Sequence, residues 1–254
     1  MPGCGLARLP LEIAGSGYTC QANEFSVYML MASHFMLNGL YQPDAFEIYP
    51  WIDRVSNIDK LSDVMKGVLV PDNAAIDILN KCPYADPAPV PPPSSKDEQQ
   101  LLEEDGRSWL PRFSMAAGDF VSLYGKSDQN NQWDCIITCF FIDTAPVVME
   151  YIDVIYTALR PGGYWINLGP LLYHWANNAD ADTPNDNRYE QSVELSWEEL
   201  ESVVTSIGFT FTKEIEYLNV TYAGNKSFLM WNEYKPLFFS CQKPLSAVAF
   251  SADR

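Results

Sequence analysis

The sequence predicts an α/β sandwich built around a mainly parallel sheet. Three observations predict it. Strand-like and helix-like patterns alternate along the chain. Residues 133–142 form an almost continuous apolar run, as expected of a parallel strand covered on both faces. Acidic residues (Glu24, Asp119 and Asp143) close or follow predicted strands, at the edge where such sheets place ligands. With 254 residues the chain is long enough to bury a sizeable core, and a single domain over 1–254 is the expectation.

The opening Met1-Pro2-Gly3-Cys4-Gly5 is a glycine-rich turn with no strand before it. Such turns normally follow a buried strand that fixes their position, so the first strand and an N-terminal region are expected to be missing here. Residues 6–16 carry apolar side chains at 6, 9, 13 and 14, which suits a short helix with Pro10 in its first turn and its end at Gly15 or Gly17. Residues 18–22 read as a strand delivering Asn23 and Glu24, and 26–38 as a long apolar helix capped by Ser26. Residues 39–80 are mixed, with little period. The proline-rich stretch 82–111 reads as a surface insertion, extended or disordered.

Order resumes at 113–120, a short strand ending in a turn. Helical spacing follows at 147, 148, 152, 155 and 159. Arg160-Pro161-Gly162-Gly163 stops that helix, and 164–168 is the next strand. Ser196 and Glu199 form a capping box for a helix reaching Ile207, which Gly208 ends. Residues 209–222 and 237–242 read as two last strands, an antiparallel pair. No internal repeat is present.

Composition narrows the function. Sixteen Lys and Arg face 33 Asp and Glu, a formal charge of −17. Such a chain does not bind a phosphate backbone by bulk electrostatics, so nucleic acid and anionic membranes are not expected partners. A small or cationic substrate fits better, although acidity also serves solubility alone. The six cysteines form no CxxC pair and are read as free buried thiols of a reducing compartment. Two histidines, His34 and His174, leave zinc few ligands, and no metal is expected. His34, on an apolar helix face, is read as packing. No run of 18 apolar residues and no signal-peptide pattern appear, so the expected location is cytoplasmic, with the nucleus also open.

Four motifs carry chemistry. In Gly3-Cys4-Gly5 the glycines admit a ligand close to backbone, and Glu24, nineteen positions after Gly5, can accept ribose hydroxyl protons. A plain helix-leading turn is the alternative. Arg8 stands where a dinucleotide motif has its third glycine, which favours a nucleoside without pyrophosphate. In Gly118-Asp119-Phe120 the acid can bind an adenine amino group and the apolar residue can cover its ring; the alternative is a turn capped by Asp119. Asp143, directly after a buried strand, can hold or deprotonate a substrate nitrogen, or else cap the helix from Val147. Tyr173 and His174 follow the next strand's carboxyl end, where His174 is equally open to a packing role. The cluster Trp231-Asn232-Glu233-Tyr234 walls a pocket or packs.

Taken together, Pro2-Gly3-Cys4-Gly5-Leu6, residues 21–26, Ala117-Gly118-Asp119-Phe120, residues 139–145 and residues 167–174 resemble the carnosine N-methyltransferase (N2227-like) family. The resemblance covers nearly the whole chain except 82–111. It implies a Rossmann-like methyltransferase sandwich, with an antiparallel C-terminal strand pair, that moves a methyl group from S-adenosylmethionine to an imidazole nitrogen of carnosine, giving anserine. It implies that Gly3 and Glu24 bind the methionine and ribose parts of the cofactor, that Asp119 and Phe120 hold adenine, and that Cys139 lines the same cleft. Asp143 would orient or deprotonate the imidazole; His174 and Tyr234 would bind the dipeptide. Asn232 departs from a second tyrosine that the family can carry. Another acceptor, such as a protein histidine or a small amine, stays open, as do a non-catalytic fragment and a homodimer.

Overall fold

The computed structural model describes residues 1–81, 112–176, 191–221, 225 and 227–245. The insertion expected at 82–111 lies outside the described residues. The chain divides into two compact units: Met1 with Gly3–Ala117, and Pro2 with Gly118–Arg254.

In the first unit, α1 (Arg8–Gly15) precedes strand β1 (Cys20–Glu24). The helix α2 (Val27–Asn38) starts where expected, because the Ser26 hydroxyl accepts the Met29 N–H. Residues 39–80, unread in the sequence, hold β2 (Phe46–Ile48), α3 (Leu61–Val64), β3 (Val68–Val70) and α4 (Ala75–Asn80). Strands β2 and β3 pair antiparallel. The chain then returns through β4 (Phe113–Ala117), parallel to β1 in a register that sets Glu24 beside Ala117. The buried Asn23 amide crosses between them, its Nδ2 donating to the Ala116 carbonyl at 3.2 Å. A small core of Leu11, Ala75 and Ile78 joins α1 to α4.

The helix read at 26–38 forms, and one expectation on it, the packing of His34, is corrected. The apolar helix α2 buries only Ser33, while Tyr28 is 86% exposed. Its hydrophobicity runs all round, so no stripe selects an inward face. His34 is exposed rather than packed; its ring nitrogen meets the Asn38 amide at 3.2 Å. It lies on the rim of an apolar cavity of about 400 Å³ with Leu11, Leu37, Phe113 and Met115.

In the second unit, α5 (Phe120–Tyr124) leads to β5 (Trp133–Cys139), and a 3₁₀ turn (Ile142–Thr144) leads to α6 (Val148–Ala158). Then come β6 (Leu159–Gly169) and α7 (Trp197–Ile207). Short strands β7 (Thr210–Phe211), β8 (Glu216–Tyr217), β9 (Val220–Thr221) and β10 (Glu233–Tyr234) precede β11 (Leu237–Gln242). Strands β5 and β6 are parallel; β11 runs antiparallel to β6, β7 and β8. The sheet's face is covered by Ile152, Ile155, Leu200 and Val204, all fully buried. Each such side chain contributes about 1.5–3 kcal/mol by leaving water. The α7 capping box forms as read, with Ser196 and Glu199 each accepting the other's backbone N–H, and Gly208 ends the helix at φ +118°.

Three details differ from the sequence reading. Strand β6 begins at Leu159, so Arg160-Pro161-Gly162-Gly163 lies inside it, accommodated by a register shift opposite Trp133 and Cys135. The expected strand 209–222 is broken into β7, β8 and β9, of which β9 pairs with β10 instead of β11. Cys135 is exposed, whereas Cys20 and Cys241 are buried and Cys4 and Cys139 half-buried. Alternation along β5 turns Cys135 outward while Ile136 and Thr138 are buried.

Candidate functional site

The first unit builds a backbone loop on the end of β1. Gly3 and Gly5 both take positive φ, +62° and +55°, and Ala7 follows at +66°. This is a conformation glycine adopts at no steric cost. The Cys4 N–H donates to the Asn23 carbonyl at 3.1 Å, and the Asn23 N–H to the Met1 carbonyl at 2.9 Å, so β1 carries the loop. Glu24, 9% exposed, closes it. Its Oε2 accepts the Gly5 N–H and its Oε1 accepts those of Phe25 and Ser26, each at 2.8 Å. One carboxylate thus joins the glycine loop, the strand end and the entry to α2. A Cβ placed on Gly5 would meet nothing within 4 Å, so the loop turns bare backbone toward open space, as a closely bound ligand requires. Burial and the neighbouring Glu24 charge raise the Cys4 thiol to about 11, which keeps it protonated.

In the second unit Asp119 is a helix cap. Its Oδ1 accepts the Ser122 N–H at 2.9 Å and the Ser122 hydroxyl at 2.7 Å. Phe120 is 4% exposed, and its ring packs edge-on to Phe141 and Tyr151 at 5.5 and 5.3 Å. The ring is a core element; the Phe120 backbone N–H, in the first turn of α5, is a group that helix geometry leaves without an intrahelical partner. Cys139 ends β5, half-buried, and burial raises its thiol above the ordinary value.

Asp143 is 2% exposed in the 3₁₀ turn after β5. It does not cap the following helix: Val147 occupies the N-cap of α6 with no side-chain bond. Instead the Leu172 N–H donates to Asp143 Oδ2 at 3.0 Å, and the His174 N–H donates to the Asp143 carbonyl at 2.9 Å. The segment after β6 is therefore laced to the turn after β5. Two further bonds pin it: the Tyr173 hydroxyl donates to the Leu195 carbonyl at 2.9 Å, and the Trp175 indole N–H to the Thr144 carbonyl at 3.1 Å. Burial raises the Asp143 carboxyl above its ordinary value, while the Leu172 N–H and the nearby His174 pull it back. The His174 side chain is exposed.

Tyr234 is brought to the same strand edge by β10. Its ring lies edge-on to Phe140 at 5.7 Å. Phe140 itself has a positive φ of +50° and donates its N–H to the Leu168 carbonyl at 2.7 Å. Sequence reasoning missed Leu172 and Trp175, whose contributions are a backbone N–H and a remote indole; no residue pattern announces either.

A glycine loop fastened to an acid-ended strand in the first unit, and parallel strands β5 and β6 with a buried carboxylate after β5 in the second, are features of a Rossmann-like α/β chain. The family model for carnosine N-methyltransferase matches residues 1–245, and the chain belongs to that family. It is 41% identical to carnosine N-methyltransferase of Rattus norvegicus over 244 residues, covering 96% of this chain and 51% of that protein. It is 36% identical to carnosine N-methyltransferase of Schizosaccharomyces pombe over 250 residues, covering 98% of this chain and 59% of that protein. The chain thus spans about half the length of the curated relatives it matches. Among solved structures, phosphoethanolamine N-methyltransferase 2 of Haemonchus contortus with S-adenosyl-L-methionine aligns at a TM-score of 0.46 and 13% identity, over 96% of this chain and 47% of that one.

Proposed function

We propose that this protein transfers a methyl group from S-adenosylmethionine to an imidazole nitrogen of carnosine, or of a related histidine-containing dipeptide, giving anserine. The observation that carries the reading is the Asp143 carboxylate: buried, held by the Leu172 N–H, and joined through its backbone to His174. The family match supports the substrate.

The bound cofactor supplies an electrophilic methyl group. The rest is positioning. Gly3 and Gly5 admit the methionine part against bare backbone, and Glu24 accepts from the ribose hydroxyls. Asp119, with the Phe120 N–H rather than its ring, takes the adenine edge, and Cys139 lines the same region. Glu24 fits this role while holding three N–H groups, because an ionised carboxylate offers about four lone-pair sites. Glu24→Ala is expected to weaken S-adenosylhomocysteine binding by about ten- to a hundredfold, the loss typical of a charged hydrogen-bonding group. Calorimetric titration measures this, and unchanged affinity would remove Glu24 from the ribose.

Asp143 acts on the acceptor. A neutral imidazole already has a lone pair, so no strong base is needed. What is needed is one tautomer, aimed. A carboxylate accepting the N–H of one ring nitrogen leaves the other nitrogen bare and stabilises the cation that forms. His174 and Tyr234 hold the dipeptide, and alignment supplies much of the remaining acceleration.

The test is product analysis after incubation with S-adenosylmethionine and carnosine across pH. Anserine should form, with kcat/KM rising as pH passes about 6.5, where free imidazole becomes neutral. Methylation of another acceptor while carnosine stays unmodified would replace the substrate. No transfer despite cofactor binding would leave a binding protein.

A further inference from the structure

We infer that Asn167 is a positioning residue for Tyr234, acting through a buried polar relay that crosses three strands. The inference rests on the proposed acceptor role of Tyr234 for its catalytic meaning, and on geometry for everything else.

The relay is continuous. The Trp165 indole N–H donates to Thr138 Oγ1 at 2.8 Å, and the Thr138 hydroxyl donates to Asn167 Oδ1 at 2.8 Å. The Asn167 Nδ2 donates to the Leu237 carbonyl at 3.4 Å. Thr138, Trp165 and Asn167 are all 0% exposed. Thr138 and Asn167 face each other in the parallel register of β5 and β6, while Leu237 opens β11.

Asparagine is a poor choice for the centre of a strand, and burying its amide is costly unless every bond is made. A leucine has the same γ-branched shape and would suit a site that only needed filling. The polar group is explained by what it connects. Leu237 stands three residues after Tyr234, and the intervening Pro236 is stiff and accepts the Leu218 N–H at 3.3 Å. One residue from Asn167, the Leu168 carbonyl accepts the Phe140 N–H at 2.7 Å. Phe140 and Tyr234 then meet ring to ring at 5.7 Å. Two paths that start at adjacent residues of β6 therefore end on one aromatic contact. The Thr138 hydroxyl has two acceptors in reach, the Ile166 carbonyl at 3.4 Å and Asn167 Oδ1 at the shorter 2.8 Å, and donating to the nearer one turns the asparagine Oδ1 toward Thr138. That leaves Nδ2 for Leu237.

Three variants of the chain test this: Asn167→Leu, Thr138→Val and Thr138→Ser. The primary readout needs no ligand: nuclear Overhauser contacts between the Phe140 and Tyr234 rings. They should disappear in Asn167→Leu and Thr138→Val and persist in Thr138→Ser, which keeps the hydroxyl. In the same pattern, KM for the acceptor should rise about tenfold, the loss of roughly one hydrogen bond, while S-adenosylhomocysteine affinity and kcat stay near wild type. A role in packing alone would lower stability and leave both the ring contact and KM in place; that result overturns the inference, as does loss of the contact in Thr138→Ser. If the wild-type chain methylates no carnosine, the functional reading fails, and the ring contact still decides whether Asn167 orders Tyr234.

Discussion

Asp143→Asn is expected to lose about 10²–10⁴-fold in kcat, the range of a positioned proton-accepting group. Its affinity for S-adenosylhomocysteine should not change. The substitution is isosteric, and an asparagine carbonyl can still accept the Leu172 N–H that now reaches Oδ2 at 3.0 Å. What disappears is the charge that selects one imidazole tautomer and stabilises the methylated cation. The fold supplies a control. Burial raises the Asp143 carboxyl, so the native state holds that proton to higher pH than the unfolded chain does. Its ionisation therefore costs stability as pH rises from the ordinary carboxyl value through the raised one. Asp143→Asn removes that cost, and its urea midpoint at neutral pH should equal or exceed that of the wild type. A stable variant with lost turnover places Asp143 in the reaction; undiminished turnover removes it.

Trp165→Ala is expected to destabilise the second unit by about 3–5 kcal/mol, the usual loss for a fully buried large aromatic. The ring is 0% exposed, tilted against Phe209 at 5.5 Å and edge-on to Phe239 at 5.0 Å. Its indole N–H also begins the relay through Thr138. Truncation opens a cavity and takes away a hydrogen-bond partner together, so the core cannot recover by collapsing inward. Urea unfolding followed by the far-ultraviolet signal measures this as a lower midpoint at an unchanged slope. A loss below about 1 kcal/mol would show that the surrounding core closes over the space the indole leaves.

Much of the local architecture was legible because its causes are local. Ser26 and Ser196 marked two helix starts, since a hydroxyl that accepts a first-turn N–H works wherever it stands. Gly208 marked a helix end for the equally local reason of its positive φ. The run in β5 announced a parallel strand, although Asp134 and Cys135 are exposed rather than covered. Glycine spacing and the acid at position 24 located the loop that the Glu24 carboxylate does tie together.

Other features were invisible from the residues alone. Strands β2 and β3 are three residues each and exist only as each other's partners, so neither carries a period long enough to read. The strand expected at 209–222 is divided because β11 pairs with two short pieces of it and β10 captures a third. Phe120 looked like a ligand cover beside Asp119, but its ring belongs to the core with Phe141 and Tyr151.

By itself, then, the sequence determined the α/β class, the starts of α2 and α7 and the end of α7. Those follow from forces acting within a few residues: caps, turns and the alternation of apolar side chains. Only the tertiary structure decided that Asp143 answers to Leu172, that Tyr234 lies against Phe140, and that Asn167 links the strands behind them. Each of these joins groups far apart in the chain. They are specified by strand register and burial, which a single hydrogen bond or ring contact expresses only after the sheet has formed.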